Sequence, residues 1–297
     1  MQLSTNFKEK VLTELLSTRV NYDGSDASFA KQYGINTSVY SRLKNGEKDG
    51  LLKDAQWLQM GRRLNVSTGE RQWKAAKTIV FAYIEQEILF CKKYAKARIF
   101  VDDCGIGKTF TAKYLSRTLK NCFYIDASQA KTKNQFIRLL GRTIGVGETG
   151  RIHDIKADIK YSLHALPNPV VIVDEAGDLD YNAMLVLKEL WNATENACGW
   201  YMIGADGLRA KLLRGISNKK VGYRELFSRF SEKFSSVVPH ERIEKERFYR
   251  QLITDVLNIN ANPDIVPQIV KKCMIQHEGN IGGLRRAESL LILNQES

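Results

Sequence analysis

Apolar residues recur along the chain in two different spacing patterns, and these patterns predict two kinds of region. Near the N-terminus they are spaced three or four apart, as on one face of an amphipathic helix: Phe7, Val11, Leu12, Leu15 and Leu16. Later they form short unbroken runs, which are typical of strands buried in a parallel sheet. The sequence therefore predicts a helical N-terminal region followed by an α/β region.

The α/β region is predicted to alternate strands with helices. Apolar runs indicate strands over residues 97–101, 122–126, 169–173 and 200–204, with helices over 110–119, 136–144 and 155–166 between them. A long helix marked by Trp73, Val80, Ile84 and Ile88 is expected before the first strand. This alternation predicts an α/β fold with a parallel sheet. No strand pattern follows residue 240, so a small helical subdomain is expected there.

Residues 25–46 contain the start and stop signals of two short helices joined by a tight turn. Gly34, four residues after Ala30, is expected to break the chain, and Asn36 or Thr37 to cap a second helix over residues 36–44. This layout predicts a helix-turn-helix, although a plain three-helix packing unit is the alternative. The residues expected to face DNA are Thr37, Ser38, Ser41 and Arg42. With a helix over 51–64 and a small polar linker at 66–69, a first domain is predicted over residues 1–66.

Between the first predicted strand and the next helix stands the string Asp-Asp-Cys-Gly-Ile-Gly-Lys-Thr, residues 102–109. In that context a Gly-rich string ending in Lys-Thr predicts a phosphate-binding P-loop, although a chance string in a turn is the alternative. Lys108 is expected to reach the β- and γ-phosphates, and Thr109 to bind Mg²⁺. One departure is Asp102, which stands where the usual pattern has glycine. The expected nucleotide contacts are Gly105, Ile106, Gly107, Lys108, Thr109 and Phe110.

The run Pro-Val-Val-Ile-Val-Asp-Glu, residues 169–175, ends a predicted buried strand in two carboxylates. Ligands of such sheets bind outside the carboxyl ends of the strands, so these acids are expected at the nucleotide. Asp174 is predicted to hold Mg²⁺, and Glu175 to polarise the attacking water. An isolated Asp-Glu here also suits a helix N-cap. Paired with the P-loop, it predicts a nucleoside triphosphatase that uses ATP and Mg²⁺.

Composition and charge narrow the class of partner. The 297 residues are 43% hydrophobic and 26% charged and contain no apolar run long enough for a membrane span. Five scattered cysteines without paired spacing, and a beginning unlike a signal peptide, predict reduced thiols in a cytoplasm. The net charge is +12, and residues 209–250 hold twelve Lys and Arg against five Asp and Glu. A concentrated surplus favours a nucleic-acid partner, whereas plain solubility charge is the alternative.

With these motifs in this order, residues 70–297 resemble an AAA+ ATPase. That resemblance implies a core over 67–239, a helical lid over 240–297 and a γ-phosphate sensor after the fourth strand. Ala205 holds the first sensor position and has no polar group, so Asp206 is the implied substitute. The segment around Arg229 resembles an arginine finger that acts on a neighbouring subunit's nucleotide, and Arg285 is implied, ahead of Arg286, as a second sensor. For each arginine, a surface salt bridge is the alternative.

The whole architecture is similar to that of the phage Mu B family of transposition proteins. This similarity implies assembly on double-stranded DNA as a helical homo-oligomer, little base specificity, weak ATPase activity and delivery of target DNA to a transposase. The loop after the second strand matches a phosphate-contacting loop of that family, which implies DNA contacts from Lys131 and Lys133, with Arg151 as a further contact. Ordinary solvated lysines are the alternative.

Two other functions stay open at this level. A helicase-loading ATPase shares the same core, but it would prefer single strands or a helicase partner. A DNA-binding regulator would use ATP only as a ligand and would read spaced half-sites as a dimer. Glu175 argues against the regulator, because a site that only binds nucleotide needs no acid to activate water.

Overall fold

The computed structural model describes residues 3–20, 22, 24–64, 66, 73–275 and 281–295. Its contacts divide the chain into two compact units, one of Met1–Gln72 with Arg117–Cys122 and the other of Trp73–Ser116 with Phe123–Ser297. Most of the predicted linker, residues 67–69, lies outside the described part. The same holds for Gly279 and Asn280, which begin the segment 279–287 that contains Arg285 and resembles a second sensor.

The first unit is helical, with α1 (Thr5–Val20), α2 (Asp26–Gln32), α3 (Thr37–Lys44) and α4 (Asp54–Arg63). The predicted apolar face of α1 packs into a core with the other three helices, whose largest buried side chains are Phe29, Tyr40, Leu43 and Trp57. The side chain of Ser25 accepts a hydrogen bond from the Ser28 amide and caps α2. Gly34 has a φ of +69°, so the turn between α2 and α3 uses a conformation that favours glycine.

The second unit begins with α5 (Ile79–Tyr94) and β1 (Ala97–Val101). Trp73, predicted to start the long helix, lies outside it, because α5 starts only where the Thr78 side chain accepts a hydrogen bond from the Phe81 amide. The predicted strands and helices follow as α6 (Lys108–Thr118), β2 (Cys122–Asp126), α7 (Lys133–Ile144), α8 (Ile152–Ala165), β3 (Val170–Asp174) and β4 (Gly199–Gly204). Three helices that were not predicted complete this part of the chain: α9 (Tyr181–Ala193) before β4, and α10 (Asp206–Ser217) and α11 (Tyr223–Arg229) after it.

These strands form a parallel sheet in the order β2-β3-β4-β1-β5. The fifth strand, β5 (Phe234–Ser235), was missed from the sequence because two residues make no recognisable apolar run. Strand β4 lies between β1 and β3: Val101 on β1 is opposite Gly204 on β4, and Val173 on β3 is opposite Met202 on β4. The segments that follow β1, β3 and β4 therefore leave the sheet at one edge, with β4 between the other two.

The last helices are α12 (Arg242–Asn260), α13 (Val266–Met274) and α14 (Leu284–Gln295). They share a small apolar core of their own around Ile253, Leu257, Ile269 and Leu291. The segment before α5 contacts these helices: the Trp73 indole donates to Glu288 at 2.9 Å, and the Lys74 amide donates to Asn260 at 2.7 Å. In the part of the chain that the structure describes, no helix is long and apolar enough to cross a membrane.

Candidate nucleotide-binding site

The P-loop lies between β1 and α6, and its backbone has the shape that its glycines permit. Gly105 has a φ of +74° and Gly107 a φ of +95°, both in the left-handed region. The helix α6 begins directly after them, at Lys108. Free amides and the positive dipole end of a helix therefore point to the edge where β1 ends, which is an arrangement suited to phosphate.

The Lys108 ammonium lies inside this loop. It donates hydrogen bonds to the backbone carbonyls of Asp102 at 2.6 Å and of Asp103 at 2.7 Å. Burial lowers the pKa of Lys108, and the nearby Cys104, Asp102, Asp174 and Glu175 oppose that shift. Lys108 and Glu175 line the same cleft, so the P-loop and the end of β3 lie close enough to interact electrostatically.

The structure shows why an aspartate takes the place of the first P-loop glycine. The Asp102 side chain is 8% exposed and turns away from the cradle toward the segment after β5. Its Oδ2 accepts from the amides of Val237 at 2.6 Å and Val238 at 3.1 Å, and its Oδ1 accepts from the Asp103 amide at 2.9 Å. The carboxylate therefore ties the P-loop to the connection that leads into α12.

The next residue, Asp103, contacts α12 itself. Its Oδ2 accepts from the Tyr249 hydroxyl at 2.9 Å and lies 2.6 Å from the Lys245 ammonium. Partial burial would raise the pKa of Asp103, but the bonds from Lys245 and Tyr249 outweigh it and hold the pKa below its usual value. Together with the Leu284 amide, which donates to the Gly105 carbonyl at 2.8 Å, this contact fixes the helical end of the chain to the P-loop.

At the end of β3, the Asp174 carboxylate is 2% exposed and held on both sides. Oδ1 accepts from the Glu175 amide at 3.0 Å, and Oδ2 accepts from the Tyr124 hydroxyl on β2 at 3.0 Å. Burial and the neighbouring Asp174 raise the pKa of Tyr124, so the phenol stays a donor. Sequence reasoning missed Tyr124, because inside an apolar strand run an aromatic residue gives no sign of its polar contact.

Glu175 has an unusual backbone for a residue with a side chain, with a φ of +49°. Burial, followed by repulsion from Asp174, raises the pKa of its carboxyl, while Lys108 counteracts the shift. A carboxylate with a raised pKa accepts a proton more readily than an ordinary one, which suits a group that activates water.

The cleft beside the P-loop is lined by both motifs and by the helical end. Its walls include residues 104–111, Glu175 and Ala205, together with Trp73, Phe81, Val256, Leu284, Arg285 and Glu288. Asp174, buried at the end of β3, does not line it. Arg285 lines the cleft, whereas Arg286 donates to the Ile275 carbonyl at 3.1 Å. Asp206, the implied substitute sensor, lies instead in a second, polar depression with Asp102 and Arg209, so the structure does not bring it to the cleft.

Arg229 lies at the end of α11 on the flank of α9. Its guanidinium donates to the Asn192 side chain and to the Glu225 carbonyl, and stands 5.5 Å from the centre of the Trp191 ring. None of these residues lines the cleft of the same chain. Within one chain Arg229 therefore has a structural role, and its action on a neighbouring subunit stays a prediction.

The predicted DNA contacts belong to both units. Lys131 forms a 2.8 Å ion pair with Asp178, and Lys133 is exposed at the start of α7. Arg151 is the N-cap residue of α8, and the carbonyl of Gly150 before it accepts a hydrogen bond from the Arg138 side chain on α7 at 3.2 Å. In the first unit, the predicted contacts on α3 are all exposed: Thr37, Ser38, Ser41 and Arg42. The Arg42 guanidinium forms an ion pair with Glu47 at 2.8 Å.

Comparison with known proteins supports the class that this geometry defines. Residues 96–212, from the start of β1 into α10, match the family model described as AAA domain. This match supports the class of AAA+ ATPases and the binding of ATP for this part of the chain. No curated protein matches the chain.

Among solved structures, NtrX from Brucella abortus in complex with ATP is similar over 87% of this chain, with 16% sequence identity and a TM-score of 0.43. This chain spans 60% of the length of the NtrX chain.

Proposed function

We propose that the protein hydrolyses ATP as a switch that controls its assembly on double-stranded DNA. The observation that carries the catalytic part is the meeting, in one cleft, of a P-loop that contains Lys108 with Glu175 at the end of β3. Neither motif binds and hydrolyses a triphosphate alone, but together they supply a phosphate cradle, a cation and a base.

The residues present fit ATP and Mg²⁺. The left-handed Gly105 and Gly107 leave backbone amides open to phosphate. The Thr109 hydroxyl lines the cleft and the Asp174 carboxylate lies at the end of β3, directly before Glu175, and both are hard oxygen ligands of the kind Mg²⁺ prefers. A bound Mg²⁺ neutralises charge on the phosphates. The chain's own groups do the rest: Lys108 binds phosphate oxygens, Glu175 orients the attacking water and accepts its proton, and Arg285 reaches the nucleotide from α14.

We propose that ATP hydrolysis by this protein serves DNA transposition. Oligomers assemble on DNA with little base specificity, and the assembled DNA is delivered to a transposase. The distribution of charge supports a phosphate-binding core, because residues 67–239 hold 27 Lys and Arg against 18 Asp and Glu, whereas residues 240–297 hold eight of each. The helical region over residues 1–66 is the proposed helix-turn-helix domain, with the exposed side of α3 toward DNA.

Arg229 is proposed to complete the cleft of the next protomer. It lies outside its own cleft and near the protein surface, where a second copy would be able to meet it. A guanidinium supplied in trans stabilises charge on the transferred phosphate, so hydrolysis would require assembly.

Electron microscopy of negatively stained samples tests this function. The protein is mixed with random-sequence duplex DNA, with and without ATP and Mg²⁺, beside a Lys108→Ala variant. Helical filaments that need ATP and vanish in the variant support the proposal. Discrete dimers on selected sequences only would favour a regulator, and closed rings on single strands would favour a helicase loader; either result contradicts it.

A further inference from the structure

The loop between β3 and α9, residues 175–180, brings together two basic segments that are far apart in the sequence. One is the segment after β2 that holds Lys131 and Lys133, and the other is residues 209–220, which contain five Lys and Arg and no acid. Each segment contacts the loop or the first residue of α9 through contacts of its own. The structure therefore joins two charged stretches into one neighbourhood.

The segment after β2 is attached by two contacts. The Asp180 amide donates to the Lys131 carbonyl at 2.7 Å, and the Lys131 ammonium lies 2.8 Å from Asp178. The backbone bond holds the segment in place whatever the side chains do. The ion pair is exposed, with Lys131 at 57%, so the ammonium is able to exchange Asp178 for another anion.

The second segment is attached by α10 and by the turn that follows it. The Lys211 ammonium donates to the carbonyls of Gly177 and Leu179, both at 2.6 Å. Beyond α10, the Tyr181 hydroxyl donates to the Val221 carbonyl at 2.9 Å, and the Lys220 ammonium stands 3.9 Å from the centre of the Tyr181 ring. Tyr181, at the start of α9, thus holds the turn and orients the lysine.

The cations on this surface are exposed, and Lys131 is the one of them whose ion pair the structure describes. Among the described residues, Lys133 and Lys219 have no ion-pair partner, and the neighbouring acids are already engaged. Asp178 pairs with Lys131, and the Asp180 side chain accepts from the Ala183 amide. A row of solvated cations around one loop attracts a polyanion more strongly than the same charges spread over the molecule.

We propose that Lys131, Lys133, Lys219 and Lys220 form one surface that binds the sugar-phosphate backbone of double-stranded DNA, organised by Tyr181 and the loop before it. This inference rests on the proposed function and adds Lys219 and Lys220 to the residues that contact DNA. The two added lysines come from the turn after α10, and no motif marks them in the sequence.

Fluorescence anisotropy of a labelled random duplex, measured over a series of salt concentrations with ATP and Mg²⁺, tests the surface. The test variant is Lys219→Gln with Lys220→Gln, and the matched control is Lys271→Gln with Lys272→Gln, an exposed lysine pair on α13. Each lost phosphate contact reduces the slope of log K against log salt by about 0.9. We expect the test pair to lower the slope by about 1 to 2, and the control pair to leave it unchanged.

Two further variants separate the contributions. Lys219→Arg with Lys220→Arg keeps the charge and should restore binding, whereas Tyr181→Leu removes the ring beneath Lys220 and should weaken binding less than the glutamine pair does. The parent should bind duplex DNA, and Lys131→Gln should bind it more weakly. If both do so but the Lys219→Gln, Lys220→Gln variant binds like the control pair, this inference alone is overturned. If the parent binds no duplex at any salt concentration, the proposed function and this surface both fail.

Discussion

The two compact units use polar residues in opposite ways. In the second unit, the carboxylates of Asp102 and Asp174 are nearly buried, and each accepts at least two directed hydrogen bonds. In the helical N-terminal unit, the predicted DNA-contacting residues stand on the exposed side of α3, where Arg42 has only a solvent-exposed ion pair. Burial makes a polar group costly unless its partners are in place, whereas exposure leaves it free to vary.

This difference leads to different consequences of mutation. A change in a buried carboxylate should disturb folding, catalysis or both, because its partners lose their acceptor. A change on α3 should disturb binding alone. The following predictions test that contrast.

The largest effect is expected on the rate of ATP hydrolysis when the proposed general base, Glu175, is replaced. Glu175→Gln keeps the size of the side chain but removes the group that accepts the proton of water, so kcat for ATP hydrolysis should fall by about 10²- to 10⁴-fold. Phosphate release measures the rate, and calorimetric titration with ATP should show nearly unchanged binding. A variant that hydrolyses ATP at the parent's rate would remove Glu175 from the mechanism.

The same carboxyl should govern the acid side of the pH profile. Because burial and Asp174 raise the pKa of Glu175 above 4.5, the base is ionised at high pH, and the rate of the parent should fall as the pH drops through a value above 4.5. The pH dependence of kcat measures this limb. A limb centred below 4.5 would show that Glu175 is not the group that titrates.

The next effect concerns folding. Asp102→Gly restores the usual first P-loop residue, yet it should lower the free energy of unfolding by about 3 kcal/mol, because the amides of Val237 and Val238 lose their acceptor. Urea denaturation measures the loss. Asp102→Asn keeps one acceptor oxygen and should lose less. If the glycine variant is as stable as the parent, the bonds to the β5–α12 connection contribute little.

A smaller effect is expected where one of two bonds to a buried carboxylate is removed. Tyr124→Phe leaves Asp174 with the Glu175 amide but without the phenol, so the affinity for Mg²⁺ in the presence of ATP should fall by about 10- to 100-fold. Titration with Mg²⁺ at constant ATP measures it. Tyr161→Phe, at a tyrosine that is 76% exposed, is the matched control and should change nothing.

The smallest effect is expected on α3. Arg42→Ala removes an ion pair between two half-exposed side chains, so the free energy of unfolding should change by less than about 0.5 kcal/mol. The same urea denaturation checks it, and duplex binding measured in parallel shows whether α3 contacts DNA. A loss of stability as large as that of Asp102→Gly would erase the contrast between the two units.

Local patterns in the sequence were sufficient for most of the fold. Strands β1 to β4 and helices α6, α7 and α8 follow from apolar runs, and the P-loop and Asp174 from short strings, because each depends on residues near one another. Helices α9, α10 and α11 were not predicted. Strand β5 was missed because it has two residues. The partners of Asp102 and Asp103 lie 135 to 146 positions away, so no local pattern reports them.

The position of Glu175 has a thermodynamic consequence. Only the five residues of 176–180 separate it from Tyr181, and those five hold both basic segments of the proposed DNA surface. If the loop responds to the γ-phosphate, ATP changes the affinity for DNA, and reciprocity then requires DNA to change the affinity for ATP by the same factor. Because only five residues connect Glu175 to Tyr181, a movement at the nucleotide site should also move the proposed DNA surface.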